Sequence, residues 1–174
     1  MGLYPPGSTF KTSQALTFLS EGIVTPGTAF PCHRGFYYRG LHVGCHSHPA
    51  PIALVDALST SCNGYFMMGN RKRYRNVQDA MTTWRDYMVS MGFGYKLGID
   101  LPGEKRGMIP NADYYDRNYH GSWNGLTIIS ISIGQGEVTL TPLQIANLGA
   151  TIANRGYYYV PHVVRKVKGE PLDT

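Results

Sequence analysis

Ser8 and Lys11 stand three residues apart in the run Tyr4-Pro5-Pro6-Gly7-Ser8-Thr9-Phe10-Lys11, where a loop turns into a helix. Pro5, Pro6 and Gly7 break regular structure. Beyond them Phe10, Ala15, Leu16 and Leu19 recur at helical spacing, and Gly22 supplies a stop. Residues i and i+3 share a helix face, so the Lys11 amine can lie beside the Ser8 hydroxyl. A serine hydroxyl alone is a poor nucleophile. A desolvated, neutral lysine can take its proton, and a helix N-terminus favours the negative charge that develops. The pair therefore has the chemistry of serine acyl transfer. The bland alternative is that Ser8 only caps the helix.

A second chemical signal lies between residues 32 and 62. All three cysteines, Cys32, Cys45 and Cys62, fall there with His33, His42, His46 and His48. The spacing Cys32-x12-Cys45-x2-His48-x13-Cys62 offers three thiolates and one imidazole. Zinc takes four such ligands in closed structural sites, and a long, weakly hydrophobic loop gains from such a staple. His46 can replace His48 as the imidazole, and His33 is a further candidate. A disulfide accounts for at most two of the three cysteines, and three free thiols remain another reading.

Helices must position these groups. The first starts near Ser8 and ends before Gly22. Residues 20–51 read as irregular, a second helix spans 51–60 and leads to Ser61, and a third begins near Gly64-Tyr65-Phe66. Asn76 caps a fourth, whose Val77, Ala80, Met81, Trp84, Tyr87, Met88 and Met91 form an apolar stripe that Gly92 ends. Residues 111–124, polar and aromatic, read as a surface loop. Residues 127–133 suit a strand or a helix. Thr141-Pro142-Leu143-Gln144 is a capping box with proline at the first helical position, opening a helix to about Asn154. Residues 157–164 read as a strand, with Pro161 marking an edge or bulge.

The chain has 174 residues, 43% of them hydrophobic, enough for one core and one domain. Its net charge of +5 owes much to Arg71-Lys72-Arg73-Tyr74-Arg75, read as a solvated turn between helices. No motif supports a nucleic-acid partner. No apolar run reaches the roughly 20 residues that span a bilayer, so the chain reads as soluble.

Four segments carry a family resemblance: Ser8-Thr9-Phe10-Lys11, Ser61-Cys62-Asn63, Gly98-Ile99-Asp100-Leu101-Pro102-Gly103-Glu104, and Ser132-Ile133-Gly134-Gln135-Gly136-Glu137 running on to Thr141-Pro142-Leu143-Gln144. In order and spacing they resemble the class B penicillin-binding proteins, most nearly the elongation-type enzymes called penicillin-binding protein 2. The resemblance implies an α+β, helix-rich fold of the penicillin-binding, β-lactamase-like kind, with a helical cluster packed on an antiparallel sheet. It implies that the Ser61 hydroxyl relays a proton toward the leaving group and that the Asn63 amide holds Lys11 and a substrate amide. Ser61-Cys62-Asn63 also reads as an ordinary polar turn. Some elongation-type enzymes hold zinc here, with a cysteine at the middle of this motif, where Cys62 stands. Carboxylates occupy some of the positions that Cys32, Cys45 and His48 would fill.

The family's third motif, Lys-Ser/Thr-Gly, is absent from the 174 residues, and Lys168-Gly169-Glu170 is no substitute. The expectation is a single truncated piece, residues 1–174, of a transpeptidase domain. It lacks the C-terminal strands, the membrane anchor and the pedestal, and its own activity is impaired. The whole enzyme would be anchored in the inner membrane with this domain on the periplasmic side. There it would cross-link peptidoglycan stem peptides through a serine acyl-enzyme, be acylated by β-lactams, and work with a membrane glycosyltransferase. Two other classes share the residues: a serine β-lactamase or penicillin-sensing domain, and a non-catalytic zinc-stabilised module in which Ser8 and Ser61 are caps.

Overall fold

Side-chain caps and short apolar stripes set the helices of this chain, and its computed structural model describes residues 1–73, 76–165 and 168. A 3-10 turn, Gly7–Phe10, runs into helix α1, Lys11–Ser20. Strands β1, Gly35–Tyr38, and β2, Leu41–Gly44, form an antiparallel hairpin. Helices α2, Leu54–Ser59, α3, Asn63–Lys72, and α4, Val77–Ser90, follow. Helices α5, Ala112–Tyr119, α6, Gly125–Ile131, and α7, Pro142–Ala153, complete the described elements. The fold is α+β and helix-rich, as the sequence predicts.

The caps behave as read. The Asn76 side chain accepts from the backbone N–H groups of Gln78 and Asp79. Thr141 and Gln144 form the reciprocal capping box, with Pro142 opening α7. Each cap satisfies donors that a helix start leaves without partners.

Two apolar clusters fill the interior. The first gathers Phe18, Phe30, Phe36, Tyr65, Phe66 and Met67 between α1, α3 and the hairpin. The second gathers Phe10, Trp84, Met88, Phe93, Leu140 and Leu148 around α4 and α7. Helix α6 is the wedge between them: Ile129 faces the first cluster, and Ile128 and Ile131 the second. That position decides the strand-or-helix ambiguity of residues 127–133. An element covered on both sides, with Asn124 capping its start, forms a helix despite its isoleucines.

The structure corrects four expectations about secondary structure. Residues 20–51 are not wholly irregular: the hairpin turns at Arg39 and Gly40, with φ of 47° and 84°, the positive values that two-residue hairpin turns need. The second helix begins at Leu54 rather than 51, because Ile52 exchanges backbone hydrogen bonds with Phe30 at 3.0 and 2.9 Å. Residues 111–124 are not a plain loop, since Asn111 caps α5 and buries Tyr115. No strand forms among the described residues of 157–164. The Val163 and Val164 N–H groups donate to the Asp100 carboxylate, at 3.0 and 2.7 Å, instead of to a neighbouring strand.

The basic cluster is also not simply solvated. Tyr74 and Arg75 lie outside the described residues, but Arg73 is buried and bridges α3 to α1. Its guanidinium pairs with Glu21 and donates to Asn70 at 2.7 Å and Thr17 at 2.8 Å. Among the described residues this is the one ion pair. Removing one partner strands the other charge, so Arg73→Met lowers the unfolding free energy by about 3 kcal/mol, read from urea denaturation. A loss below ~0.5 kcal/mol would show the pair to be as weak as a surface one.

Candidate active site and metal centre

The 3-10 turn presents Ser8 to solvent while the next turn buries Lys11, which is 2% exposed. Ser8 does not cap the helix. Pro6 holds the cap position without a side-chain bond, and the Ser8 hydroxyl faces Lys11 and Ser61 instead. The turn is pinned from outside by Gly134. Gly7 N–H donates to Gly134 carbonyl at 2.9 Å, and a Cβ at Gly134, where φ is +71°, would lie 2.2 Å from the Gly7 oxygen. No other residue fits that approach.

Ser61 sits between α2 and α3 at a φ of 54°, a left-handed conformation uncommon for serine. It turns the chain so that Ser61 and Asn63 both reach Lys11. The Lys11 amine lies 2.8 Å from the Ser61 carbonyl, 2.9 Å from Ser61 Oγ, 2.6 Å from Asn63 Oδ1 and 3.2 Å from Ser8 Oγ. Ser61 Oγ and Ser8 Oγ are 2.9 Å apart. Asn63 is held in turn by its amide, which donates to the Gly44 carbonyl at the end of β2 at 2.9 Å.

Burial pushes the Lys11 amine below its ordinary value, and the thiols of Cys45 and Cys62, when charged, oppose that shift. A neutral lysine has two N–H donors and one lone pair. The donors match the Ser61 carbonyl and Asn63 Oδ1, which leaves the lone pair for a hydroxyl proton. All four residues expected from the sequence thus meet at one point, on elements separated by about fifty residues.

The second group adjoins it. Cys32, Cys45, His48 and Cys62 bring one ligand atom each to within 4.8 Å of one another. His48, rather than His46 or His33, completes this set. Cys62 caps α3, its sulfur accepting from Tyr65 N–H at 3.2 Å, and Cys45 sulfur accepts from Gly64 N–H at 3.1 Å. Gly64 is needed for the close approach: a Cβ there would stand 2.9 Å from Cys32 Sγ. The three cysteines form no disulfide.

Two observations fit a metal. His48 Nδ1 bonds the Pro49 carbonyl at 2.8 Å, which puts the lone pair on Nε2, and Nε2 is buried with no hydrogen-bond partner. Cys45 and Cys62 sulfurs are 3.8 Å apart, which is about the edge of a tetrahedron with metal–sulfur bonds of ~2.3 Å. In the free thiols, burial pushes Cys32 up and Cys62 up to about 12. Such a cluster is a poor reagent and a good ligand set for an ion that takes thiolates.

Of the other two segments singled out in the sequence, the one carrying Gly134 reaches this site, and the one ending at Glu104 is held by its own local bonds. Glu104 closes its loop by accepting from the N–H groups of Leu97, Gly98 and Ile99 at 2.5, 3.0 and 3.3 Å. Gln144 donates to the Tyr95 and Arg106 carbonyls, each at 2.9 Å. Glu137 accepts from the Tyr115 and Tyr119 hydroxyls at 2.8 and 2.6 Å, which anchors the loop carrying Gly134 to α5. Gly134 lay in a segment the sequence singled out, whereas the bracing roles of Gly44 and Tyr115 had no signal, since each depends on a partner far along the chain.

This arrangement agrees with the comparisons. The family model for the penicillin-binding protein transpeptidase domain matches residues 2–174. The chain is 37% identical over 178 residues to a peptidoglycan D,D-transpeptidase, MrdA, of Acinetobacter baumannii, covering 97% of this chain and 25% of that protein. It superposes on Pseudomonas aeruginosa PBP2, solved in complex with WCK 5153, with a TM-score of 0.84 at 28% identity, covering 99% of this chain and 39% of that one. It superposes equally well, with a TM-score of 0.85 at 29% identity over 98% of this chain and 29% of the other, on a chain from a structure described as structural coordination of polymerization and crosslinking by a peptidoglycan synthase complex. The chain spans about a quarter of the length of the curated relatives it matches. A match across nearly every residue, with relatives and folds of one kind, means that the chain belongs to the penicillin-binding protein transpeptidase family, in its penicillin-binding protein 2 branch.

Proposed function

We propose that the chain carries the nucleophile half of a peptidoglycan D,D-transpeptidase that works through a serine acyl-enzyme. The carrying observation is the buried Lys11 amine within hydrogen-bond reach of Ser8, Ser61 and Asn63. Lys11 takes the Ser8 proton as Oγ bonds to the carbonyl carbon of a D-Ala-D-Ala terminus. Ser61 passes a proton to the departing D-alanine nitrogen as the peptide C–N bond breaks. Asn63 keeps the amine in place and offers its amide to the substrate backbone. An acceptor amine on a second stem peptide then attacks the ester and releases Ser8. A β-lactam enters the same first step, its ring amide standing in for the peptide bond.

Zinc at Cys32, Cys45, His48 and Cys62 is part of the proposal, in a structural role. Four protein ligands leave no open position for a water, and Cys62 lies between Ser61 and Asn63, so the ion would hold the loop that bears both. The whole enzyme is proposed to act on the periplasmic side of the inner membrane beside a glycosyltransferase. That partner is in keeping with a structural relative's place in a peptidoglycan synthase complex. No helix among the described residues is long and apolar enough to cross a membrane.

The test is labelling with a fluorescent penicillin, on the 174-residue chain and on a form extended through a Lys-Ser/Thr-Gly strand, each beside its Ser8→Ala variant. Stoichiometric label lost in Ser8→Ala is the expected result. A folded extended form that takes no label removes the catalytic reading and leaves a zinc-stabilised module. Rapid turnover of the label indicates a β-lactamase instead.

A further inference from the structure

Away from this site the structure holds a cavity of about 330 Å³, lined by Arg85, Arg106, Arg117, Asn111, Asn118 and Tyr114 among others. Ser8, Lys11, Ser61, Asn63 and the sulfur ligands take no part in it. Its volume falls at the lower end of small-molecule sites. Its residue types set it apart: three arginines are among the lining residues and no aspartate or glutamate is. An adjoining recess brings Asp86 and Asp113 near Arg85, yet neither pairs with it within 4.0 Å. Among the described residues, none of the three arginines has an ion-pair partner or a side-chain hydrogen bond, and Arg85 Nε is buried without any acceptor.

The three cations come from separate, firmly held elements. Arg85 follows Trp84, which is fully buried in the second apolar cluster and donates from its indole to Gln14 at 3.0 Å. Arg106 stands on a segment whose carbonyl is bonded by Gln144 and whose neighbour Met108 exchanges backbone bonds with Thr139 at 2.7 and 3.1 Å. Arg117 rides on α5, fixed by the Asn111 cap and the buried Tyr115 ring. Three arginines on one concave surface, none of them paired with the carboxylates of the adjoining recess, give the cavity a positive potential that attracts an anion.

We propose that this cavity binds a multiply charged oxyanion. Guanidinium forks match phosphate and carboxylate oxygens in pairs, and Asn111, Asn118 and Tyr114 add polar residues to the lining. A diphosphate and a polycarboxylate share this chemistry.

Isothermal titration calorimetry distinguishes them, with inorganic pyrophosphate and citrate as probes at constant ionic strength. Saturable one-site binding is expected. Arg106→Gln and Arg117→Gln, both replacing exposed side chains, are each expected to raise the dissociation constant about tenfold or more. Tighter pyrophosphate binding assigns the site to phosphates, and tighter citrate binding to carboxylates. Thermal unfolding of each variant confirms that it folds. If Arg85→Gln fails to do so, the two exposed positions carry the test. No saturation by either probe at 10 mM (roughly the weakest affinity a specific site would show) overturns the proposal. So does binding that both exposed variants leave unchanged.

Discussion

Lys11→Met is expected to slow acylation of Ser8 by a fluorescent penicillin about a thousandfold, within the range of positioned general bases. Methionine keeps most of the stem's volume and removes the amine, which lies 6.0 Å from the Phe66 ring centroid and is the proposed acceptor of the serine proton. Rapid-quench labelling of the form that accepts label measures the rate. A fall of less than threefold would show that another group takes the proton. The pH dependence follows from burial. Desolvation lowers the Lys11 amine from its ordinary 10.5, so the neutral, proton-accepting form is reached earlier. The acylation rate is expected to rise with pH and level off below 10.5, and this limb disappears in Lys11→Met. Stability carries the same sign. Between the lowered value and the ordinary one, the unfolded chain binds a proton that the folded chain has released, so unfolding free energy increases with pH across that window. At lower pH both states are protonated and the cost of burying the charge is fully present.

Cys62→Ser is expected to cost about 5 kcal/mol, a fall of roughly 10–20 °C in Tm for a chain of this size. The substitution is informative because serine is itself a preferred helix cap, so α3 keeps its N-terminal bond and the loss reports the metal. Structural zinc sites contribute apparent binding energies of about 10–16 kcal/mol, comparable to the whole stability of a domain. Calorimetric unfolding with and without a chelator, beside metal analysis, measures the effect. The expected result is one zinc per chain and a chelator-induced fall in Tm that Cys62→Ser no longer shows. Metal-free protein with an unchanged Tm would mean that the cluster is three thiols and an imidazole packed together. Since Ser61 and Asn63 flank Cys62, chelation should also slow penicillin labelling.

Much of the site was legible because its chemistry is local. Ser8 and Lys11 meet through an i, i+3 relation that any helical turn supplies. The caps at Asn76 and Thr141 read directly, since each closes within three residues. The ligand set also followed from residue types and spacing, with His48 and His46 left as rivals. The choice between them came from the fold, which brings His48 and not His46 within 4.8 Å of the three sulfurs.

The remainder depended on contacts that no local pattern encodes. Arg73 reads as one of a run of solvated charges until Glu21, 52 residues away, is brought beside it. Residues 127–133 carry strand propensity, and only cover on two sides makes them a helix. The chain's motifs pointed to the family and named the candidate nucleophile and the candidate ligands, because those rest on residue identity and short-range geometry. Tertiary structure alone decided how far Lys11 is buried, where the left-handed turn at Ser61 points, and that Arg85, Arg106 and Arg117 share one cavity. Burial and the convergence of separate elements arise from the packing of the whole chain, and they set the local dielectric and the charge that each group faces.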